Sequence, residues 1–329
     1  MKIGKIPETV LKRSVLNQIG HRREDVLLGP AVGEDCGIID INGDDVIVIS
    51  TDPITGTAQD IGIYAVHITA NDIASSGADI IGIMLSILLP EGVGETELRT
   101  LIQEAECICR QLNIEILGGH TEVTKAVNQP VVTATGIGKT KKNEIIKTSG
   151  AKPGQEIVMT KWAGIEGTAI LAKAKEQELL AKYPAGFIDG AKRMLDFISV
   201  VPEAKIARTV GVSSMHDVTE GGIFGALWEI GAASRAGMEV DLQKIQLKQE
   251  TVEICEFFDL NPYMLISGGC LLIVTDHGNL LVDSLKEAGI PAAVIGRIKE
   301  GNDRIIINGE ERRYLEPPKA DELYKVMCK

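Results

Sequence analysis

Short β-branched or apolar runs alternate with stretches of helical period along the first half of the chain, and that alternation leaves few architectures open. Val46–Ser50 is a β-branched run that ends at the polar Thr51-Asp52-Pro53. Asp60–Ser76 reads as a helix, because Ile61, Ala65, Ile68 and Asp72 recur at spacings of 4, 3 and 4 on one face. Ile80–Leu89 is an apolar strand closed by Pro90. Glu95–Leu112 is an amphipathic helix whose opening acids suit the N-terminal dipole, and Glu115–Leu117 and Pro130–Gly138 are two more strands. Such a half predicts a sheet covered by helices on one side, an α+β layer.

At Thr148-Ser-Gly-Ala-Lys-Pro-Gly154 the periodicity breaks into turn residues, which places a domain boundary there and divides the chain into 1–148 and 149–329. A length of 329 residues suits two cores. The second half restarts with a strand at Glu156–Thr160, then Trp162-Ala-Gly-Ile-Glu-Gly167 and a helix from about Thr168 to Ala181. Helices follow near Val201–Val210, Gly222–Arg235, Thr251–Phe258 and Asn279–Ala288. Strands are expected at Met238–Leu242, Cys270–Thr275, Ala292–Ile298 and Arg304–Ile307.

Charge and cysteine content exclude several classes. Lys and Arg total 34 against 46 Asp and Glu, a formal net charge of −12. No basic stretch could neutralise a nucleic-acid backbone, so no nucleic-acid partner is expected. A small anion such as a nucleotide would have to be held by backbone N–H groups, local cations and a metal ion. No apolar run approaches the roughly 20 residues that span a bilayer, and the N-terminus carries no signal-peptide pattern. A cytoplasmic protein without a membrane partner is the expectation. The 6 cysteines (Cys36, Cys107, Cys109, Cys255, Cys270 and Cys328) are too sparse for a disulfide framework and include no C-x-x-C pair. The histidines His67, His120, His216 and His277 show no zinc spacing, and there is no G-x-S-x-G elbow.

Four acidic positions in the first half stand at turns, strand ends or inward helix faces: Asp35 in Gly33-Glu-Asp-Cys-Gly37, Asp52, Asp72 after Asn71, and Glu122 after Gly118-Gly-His-Thr121. Converging carboxylates repel unless a cation neutralises them. Mg²⁺ fits, because it takes hard oxygen ligands and keeps positions open for phosphates. Each Asp taken alone also reads as an ordinary turn residue. Asp72 is the sharpest clue, since it continues an apolar stripe where an unpaired carboxylate is costly. Its alternative role is an Asx-type cap on the following turn.

Gly136-Ile-Gly-Lys-Thr140 imitates a P-loop and fails the motif. The first glycine would fall at Thr133, and Lys141-Lys-Asn-Glu-Ile-Ile-Lys does not read as a helix. A better phosphate candidate is His216-Asp-Val-Thr-Glu-Gly-Gly222, where a short strand runs through a glycine turn into a helix carrying Ile223, Ala226, Leu227 and Ile230 on one face. Free N–H groups at such a helix start hold anions, and Asp217 offers a further oxygen. The alternative is a plain junction with Thr219 as N-cap. Ala163-Gly-Ile-Glu-Gly167 is a weaker element of the same type, and Ser267-Gly-Gly-Cys270 reads as a tight turn.

Taken together, Gly33-Glu-Asp-Cys-Gly, Ser50-Thr-Asp-Pro, Ala70-Asn-Asp-Ile-Ala-Ser-Ser-Gly-Ala, Gly118-Gly-His-Thr, Gly150-Ala-Lys-Pro-Gly and His216-Asp-Val-Thr-Glu-Gly-Gly carry a resemblance. The chain resembles the superfamily of aminoimidazole-ribonucleotide (AIR) synthetase, thiamine-monophosphate kinase, selenophosphate synthetase and the hydrogenase maturation factor HypE, the HypE-like members most of all. The resemblance implies two α+β domains, with the N-terminal sheets of two subunits forming a barrel-like homodimer interface and ATP and Mg²⁺ beside it. It implies Asp35, Asp52 and Asp72 as Mg²⁺–ATP ligands, with Gly33, Asn71, Gly118, Gly119 and Thr121 about the nucleotide. Asp217, Gly221 and Gly222 would form the substrate or phosphate side, with Asp72 and Asp217 catalytic.

Two departures qualify it. His120 stands where the superfamily usually has an acid; either His120 ligates, or Glu122 takes the metal-binding role, or fewer metals bind, and Mg²⁺ chemistry favours Glu122. HypE ends in Pro-Arg-Ile-Cys, whereas this chain ends Tyr324-Lys-Val-Met-Cys-Lys329, so Cys328 is either a carrier thiol or an incidental cysteine. The expected activity is ATP- and Mg²⁺-dependent phosphorylation of an amide- or carbamoyl-type oxygen, HypE-like, possible partners being a carbamoyl substrate and a maturation protein. The alternatives are a small-molecule kinase, an AIR-synthetase-like ligase, or a non-catalytic nucleotide-binding dimeric partner.

Overall fold

The computed structural model describes residues 6–21, 23–55 and 57–327. In chain order the helices and strands begin α1 (Glu8–Ser14), β1 (Val26–Leu28), β2 (Gly37–Asp40), β3 (Asp45–Ile54), α2 (Ile61–Ser75) and β4 (Asp79–Leu89). Next are α3 (Glu95–Leu112), β5 (Glu115–Val123), β6 (Val131–Lys141), β7 (Glu156–Thr160), α4 (Ile165–Ala174), α5 (Glu176–Leu180) and α6 (Ala185–Lys192). Then come α7 (Val201–Val210), β8 (Ser214–Asp217), α8 (Gly222–Ser234), β9 (Gly237–Asp241) and α9 (Gln249–Phe258). The chain closes with β10 (Leu271–Thr275), α10 (Gly278–Glu287), β11 (Ala292–Lys299), β12 (Arg304–Asn308), β13 (Glu311–Tyr314) and α11 (Tyr324–Met327). They form two compact units. One holds the described parts of Arg22–Gly29 and Asp35–Ile145, the other the rest.

The first unit is a six-stranded sheet in the order β1-β2-β3-β6-β4-β5. It is mixed: β4 and β5 run parallel and the other neighbours antiparallel. Among the described residues the sheet is open, with no closed barrel. Alternation sets its buried face, since Val46, Val48 and Ser50 of β3 and Val132 and Ala134 of β6 are all buried. α2 packs against β3, β6, β4 and α3, and nearly all its residues are buried accordingly. Large apolar side chains nevertheless stand exposed on the two strands at one edge: Ile81 and Met84 on β4, Leu117 and Val123 on β5.

The P-loop imitation is explained here. Gly136 and Gly138 lie inside β6, where α2 crosses so closely that a Cβ on Gly138 would stand 2.3 Å from Ile73 Cγ2. Both glycines therefore make room for a helix. Strand β5 runs to Val123, well beyond the predicted Leu117, because Gly118 and Gly119 break the apolar pattern without breaking the ladder. A Cβ at Gly119 would lie 1.9 Å from the carbonyl oxygen of Leu85, so this glycine is demanded by the neighbouring strand.

The second unit is a seven-stranded sheet in the order β13-β12-β9-β11-β7-β10-β8, with β9 and β12 parallel and the remaining pairs antiparallel. Ile157, Met159, Leu227, Ile230, Leu272 and Val274 are among its core residues. The single helix predicted for 168–181 starts earlier and splits at Lys175 into α4 and α5. Residues from the N-terminal end of the chain belong to this unit. In α1, Glu8 accepts the Trp228 indole N–H at 2.9 Å, and the Arg304 guanidinium lies 4.2 Å over the same ring. Because β10 is antiparallel to both neighbours, the C-terminal ends of β7 and β8 share one end of the sheet with the N-terminal end of β10. No helix among the described residues is long and apolar enough to cross a membrane.

Candidate functional site

In the first unit the site is built around one hydroxyl. Ser50 points from β3 to the buried side, where Asp72 arrives from α2. Ser50 Oγ lies 2.5 Å from Asp72 Oδ2, 3.5 Å from Asp52 Oδ2 and 3.1 Å from the backbone carbonyl of Asp35. A hydroxyl has one proton to give, so the short contact identifies Asp72 as its acceptor. Asp72 is 4% exposed, and a charge-assisted bond of this kind offsets part of the desolvation of its carboxylate. Its side chain is thus engaged with β3. The turn after it is held instead by serine hydroxyls, Ser75 donating to the Asp72 carbonyl at 2.8 Å and Ser76 to the Ile73 carbonyl at 2.7 Å. The Cys36 thiol donates to the Asp72 carbonyl at 3.3 Å, tying the Asp35 turn to the same point of α2. Asn71 is buried beside Asp72 in sequence, and Asp35 is exposed.

Glu122 is placed differently. It stands exposed on β5, paired with His120, whose Nε2 lies 3.2 Å from Glu122 Oε2. The ladder sets Asp52 level with Ala134, Leu85 and Gly119, three strands apart from β3 to β5. At about 4.8 Å per strand this separation is roughly 14 Å. Within the unit, Asp52 and Asp72 are brought together and Glu122 is not. Gly118 and Thr121 share its strand.

In the second unit the glycine turn precedes α8 as predicted, but its cap differs. Gly221, with φ of 86°, is the N-cap, and Thr219 contributes its backbone carbonyl to Gly222 N–H at 3.1 Å. The Gly221 N–H donates at 2.7 Å to Asp321 Oδ2. Asp217 ends β8 and is 2% exposed. Beside it in sequence, His216 is buried between Glu229 Oε2, 3.0 Å from its Nε2, and Thr148 Oγ1, 3.4 Å from its Nδ1. Gly33 also belongs to this unit, at a φ of 76° where a Cβ would meet the Glu229 carbonyl at 3.0 Å. Glu34 accepts the N–H groups of Thr148 and Ser149 at 3.2 and 3.0 Å. Cys328 lies outside the described residues.

Three buried ionisable groups, none of them a predicted site residue, line this end of the sheet. Glu166, in the first turn of α4, accepts the Gly268 N–H at 3.2 Å. Burial, reinforced by the Asp321 charge, pushes its carboxyl up to about 8, so it is a neutral acid at pH 7. Burial also lifts Asp321 to about 6, although three backbone N–H groups work in the opposite direction. Lys161 is ion-paired with Glu203 and donates to the Ser199 carbonyl at 2.6 Å; burial pulls its pKa down against the Glu203 charge. In the sequence Glu166 lies in the glycine element Ala163-Gly-Ile-Glu-Gly167 and enters the apolar run Gly167-Thr-Ala-Ile-Leu-Ala, signs that mark the segment but not the buried acid. Asp321 had none, because its partners are supplied by distant loops.

The comparisons agree with this architecture. The profile of the AIR synthase related protein N-terminal domain matches residues 33–140, and that of the C-terminal domain residues 152–308. A Methanocaldococcus jannaschii protein named for hydrogenase expression/formation is 26% identical over 98% of this chain and 97% of its own length. The carbamoyl dehydratase HypE of Rhizobium leguminosarum is 27% identical over 77% of this chain and 73% of its own. The thiamine-monophosphate kinase of Methanospirillum hungatei is 28% identical over 84% and 90%. Among solved structures, a chain of a HypE–HypF complex superposes with a TM-score of 0.77 at 20% identity, covering 94% of this chain and 99% of that one. HypE in complex with ATP gives 0.73 at 22% identity, covering 95% and 93%. AaThiL complexed with AMPPCP and TMP gives 0.74 at 17% identity, covering 94% and 97%.

Proposed function

Because the chain belongs to the AIR synthase related proteins, with both of that family's domains present, we propose that it is an ATP- and Mg²⁺-dependent enzyme that phosphorylates a carbamoyl- or amide-type oxygen, as in a HypE-like dehydration. The observation that carries this reading is the meeting of Asp52 and Asp72 at the Ser50 hydroxyl, carboxylates on a rigid strand and a rigid helix in a fold without a P-loop. Hard oxygen donors in that number suit Mg²⁺, which keeps positions for phosphate. Asp35, Asp52 and Asp72 would hold the ion, which would neutralise developing charge on the transferred phosphoryl group. Glu122 can serve only where a second subunit brings its edge strand to the site.

The chain's own residues supply positioning. Ser50 holds Asp72 in one rotamer, and Asn71, next to it on α2, would hydrogen-bond the nucleotide. Asp217 and the Gly221–Gly222 turn would orient the second substrate. In the reaction the amide oxygen bonds to the γ-phosphorus as the bond to ADP breaks. The oxygen then departs as inorganic phosphate and the nitrogen gives up both protons, leaving a nitrile. Such chemistry needs alignment and charge neutralisation more than a covalent side chain, unless the tail thiol Cys328 carries the carbamoyl group. A homodimer, a maturation-protein partner and a cytoplasmic setting complete the proposal; the exposed Met84 and Leu117 at the sheet edge support the first.

The similarity to thiamine-monophosphate kinase over most of the chain favours one second reading, a small-molecule kinase. Incubation with Mg²⁺, ATP and carbamoyl phosphate or a carbamoylated Cys328 peptide separates the two. Release of ADP with free phosphate and a mass change on the peptide supports dehydration. A stable phosphorylated product from thiamine monophosphate supports the kinase, and nucleotide binding without turnover of either substrate supports a non-catalytic partner.

A further inference from the structure

The glycine turn before α8 is not left open to solvent anions. Its Gly221 N–H is taken by Asp321, a residue of the C-terminal segment one hundred positions later in the chain. The same carboxylate accepts the N–H of Ile266 at 3.2 Å and of Leu323 at 2.9 Å, so one side chain joins three segments. Neighbouring residues repeat the pattern. Glu322 accepts the Asn261 N–H at 3.0 Å, the Tyr324 hydroxyl donates to Glu220 at 2.5 Å, and Pro318 packs beside Gly221. Gly222 is pressed so closely on the other loop that a Cβ there would stand 2.7 Å from the carbonyls of Tyr263 and Leu265. The carboxylate is 2% exposed, and burying it is costly unless its bonds are all made.

We propose that Asp321 is a positioning residue: by bonding Gly221, Ile266 and Leu323 at once, it makes the C-terminal segment a fixed part of the substrate end of this sheet and sets the geometry of the turn before α8. The turn then fixes Asp217 beside what binds there, while the Gly221 N–H serves the protein's own carboxylate and the Gly222 N–H the Thr219 carbonyl. The bearing on turnover rests on the ATP-dependent reading above; the coupling of the three segments does not.

Hydrogen–deuterium exchange on the full-length protein tests the coupling, and steady-state Mg²⁺–ATP turnover tests its consequence. In Asp321→Ala, peptides covering 219–225 and 261–268 should exchange at least about tenfold faster, together with 317–327, while α2 keeps its protection. Asp321→Asn, which retains one acceptor oxygen, should recover part of both effects. kcat should fall about tenfold or more in the alanine variant with the KM for ATP within about twofold. Faster exchange confined to 317–327, or an unchanged kcat in an active enzyme, overturns the proposal. Should the alanine variant not fold, Asp321→Asn carries the exchange test, because it removes the acceptor facing the Gly221 N–H, and unchanged protection at both 219–225 and 261–268 overturns the proposal. A wild-type protein without turnover refutes the ATP-dependent reading alone, and exchange then decides the coupling.

Discussion

Ser50 can give its proton to one carboxylate, and it gives it to Asp72. Asp72→Asn keeps a side-chain oxygen for that bond and removes the charge a cation would need. Turnover with Mg²⁺–ATP should fall by roughly 100-fold or more, the scale of losing one preorganised electrostatic group, with the melting temperature little changed. Retained turnover would reject Asp72 as a ligand. Glu166 makes a different prediction. Its carboxyl rises from 4.5 to about 8 on folding, so the folded protein holds a proton that the unfolded chain has released. The stabilising contribution is complete below pH 4.5 and is lost as pH rises to about 8, the like charges of Asp321, Glu220 and Asp217 adding to the cost of burial. Glu166→Gln stays neutral throughout. Its melting temperature should gain on wild type across that window and keep a constant lead above it, and a pH-independent difference would contradict the assignment. Asp72 was legible as an acid on an apolar stripe. Glu166 and Asp321 were not, since nothing in a local pattern reveals that a loop 102 or 55 residues away will close over each carboxylate.

At the level of elements, the close crossing of α2 and β6 makes the phosphate-motif imitation testable. Gly138→Ala would push a Cβ against Ile73, and overpacking of this sort costs about 1–3 kcal/mol. Chemical denaturation should register that loss while the KM for ATP stays unchanged; a raised KM at full stability would instead indicate a nucleotide-binding role. α3, β7 and α7 could be read with their ends, the helices from their period and β7 from a short apolar run, whereas β3 continues to Ile54 through the polar Thr51-Asp52-Pro53 that was expected to end it. β2 and the far half of β5 could not. The first is only four residues long beside a glycine, and the second is polar and glycine-rich on an edge where no buried face imposes alternation. The helix after β7 was misread as unbroken because Lys175 interrupts it without a glycine or proline to mark the break.

For the whole molecule, the chain leaves the first unit at Ile145, short of the turn cluster at Thr148–Gly154, and nothing in the sequence announces the return of α1 to the C-terminal unit. It depends on Trp228 finding Glu8 and Arg304, three residues scattered across the sequence. The exposed edge of the first sheet carries Met84 and Leu117 at 45% and 46% exposure, an apolar surface that the proposed homodimer would cover. Met84→Glu should give a folded monomer in sedimentation equilibrium; an unchanged assembly state would remove this edge from the interface. The central claim is that carboxylates of the first 122 residues hold a divalent ion against the phosphates of ATP. Isothermal titration of the protein with ATP, with Mg²⁺ present and again in excess EDTA, tests it most directly. Saturable binding only with Mg²⁺, abolished in Asp72→Asn, is the expected result; equal binding without the metal, or none with it, would contradict the account.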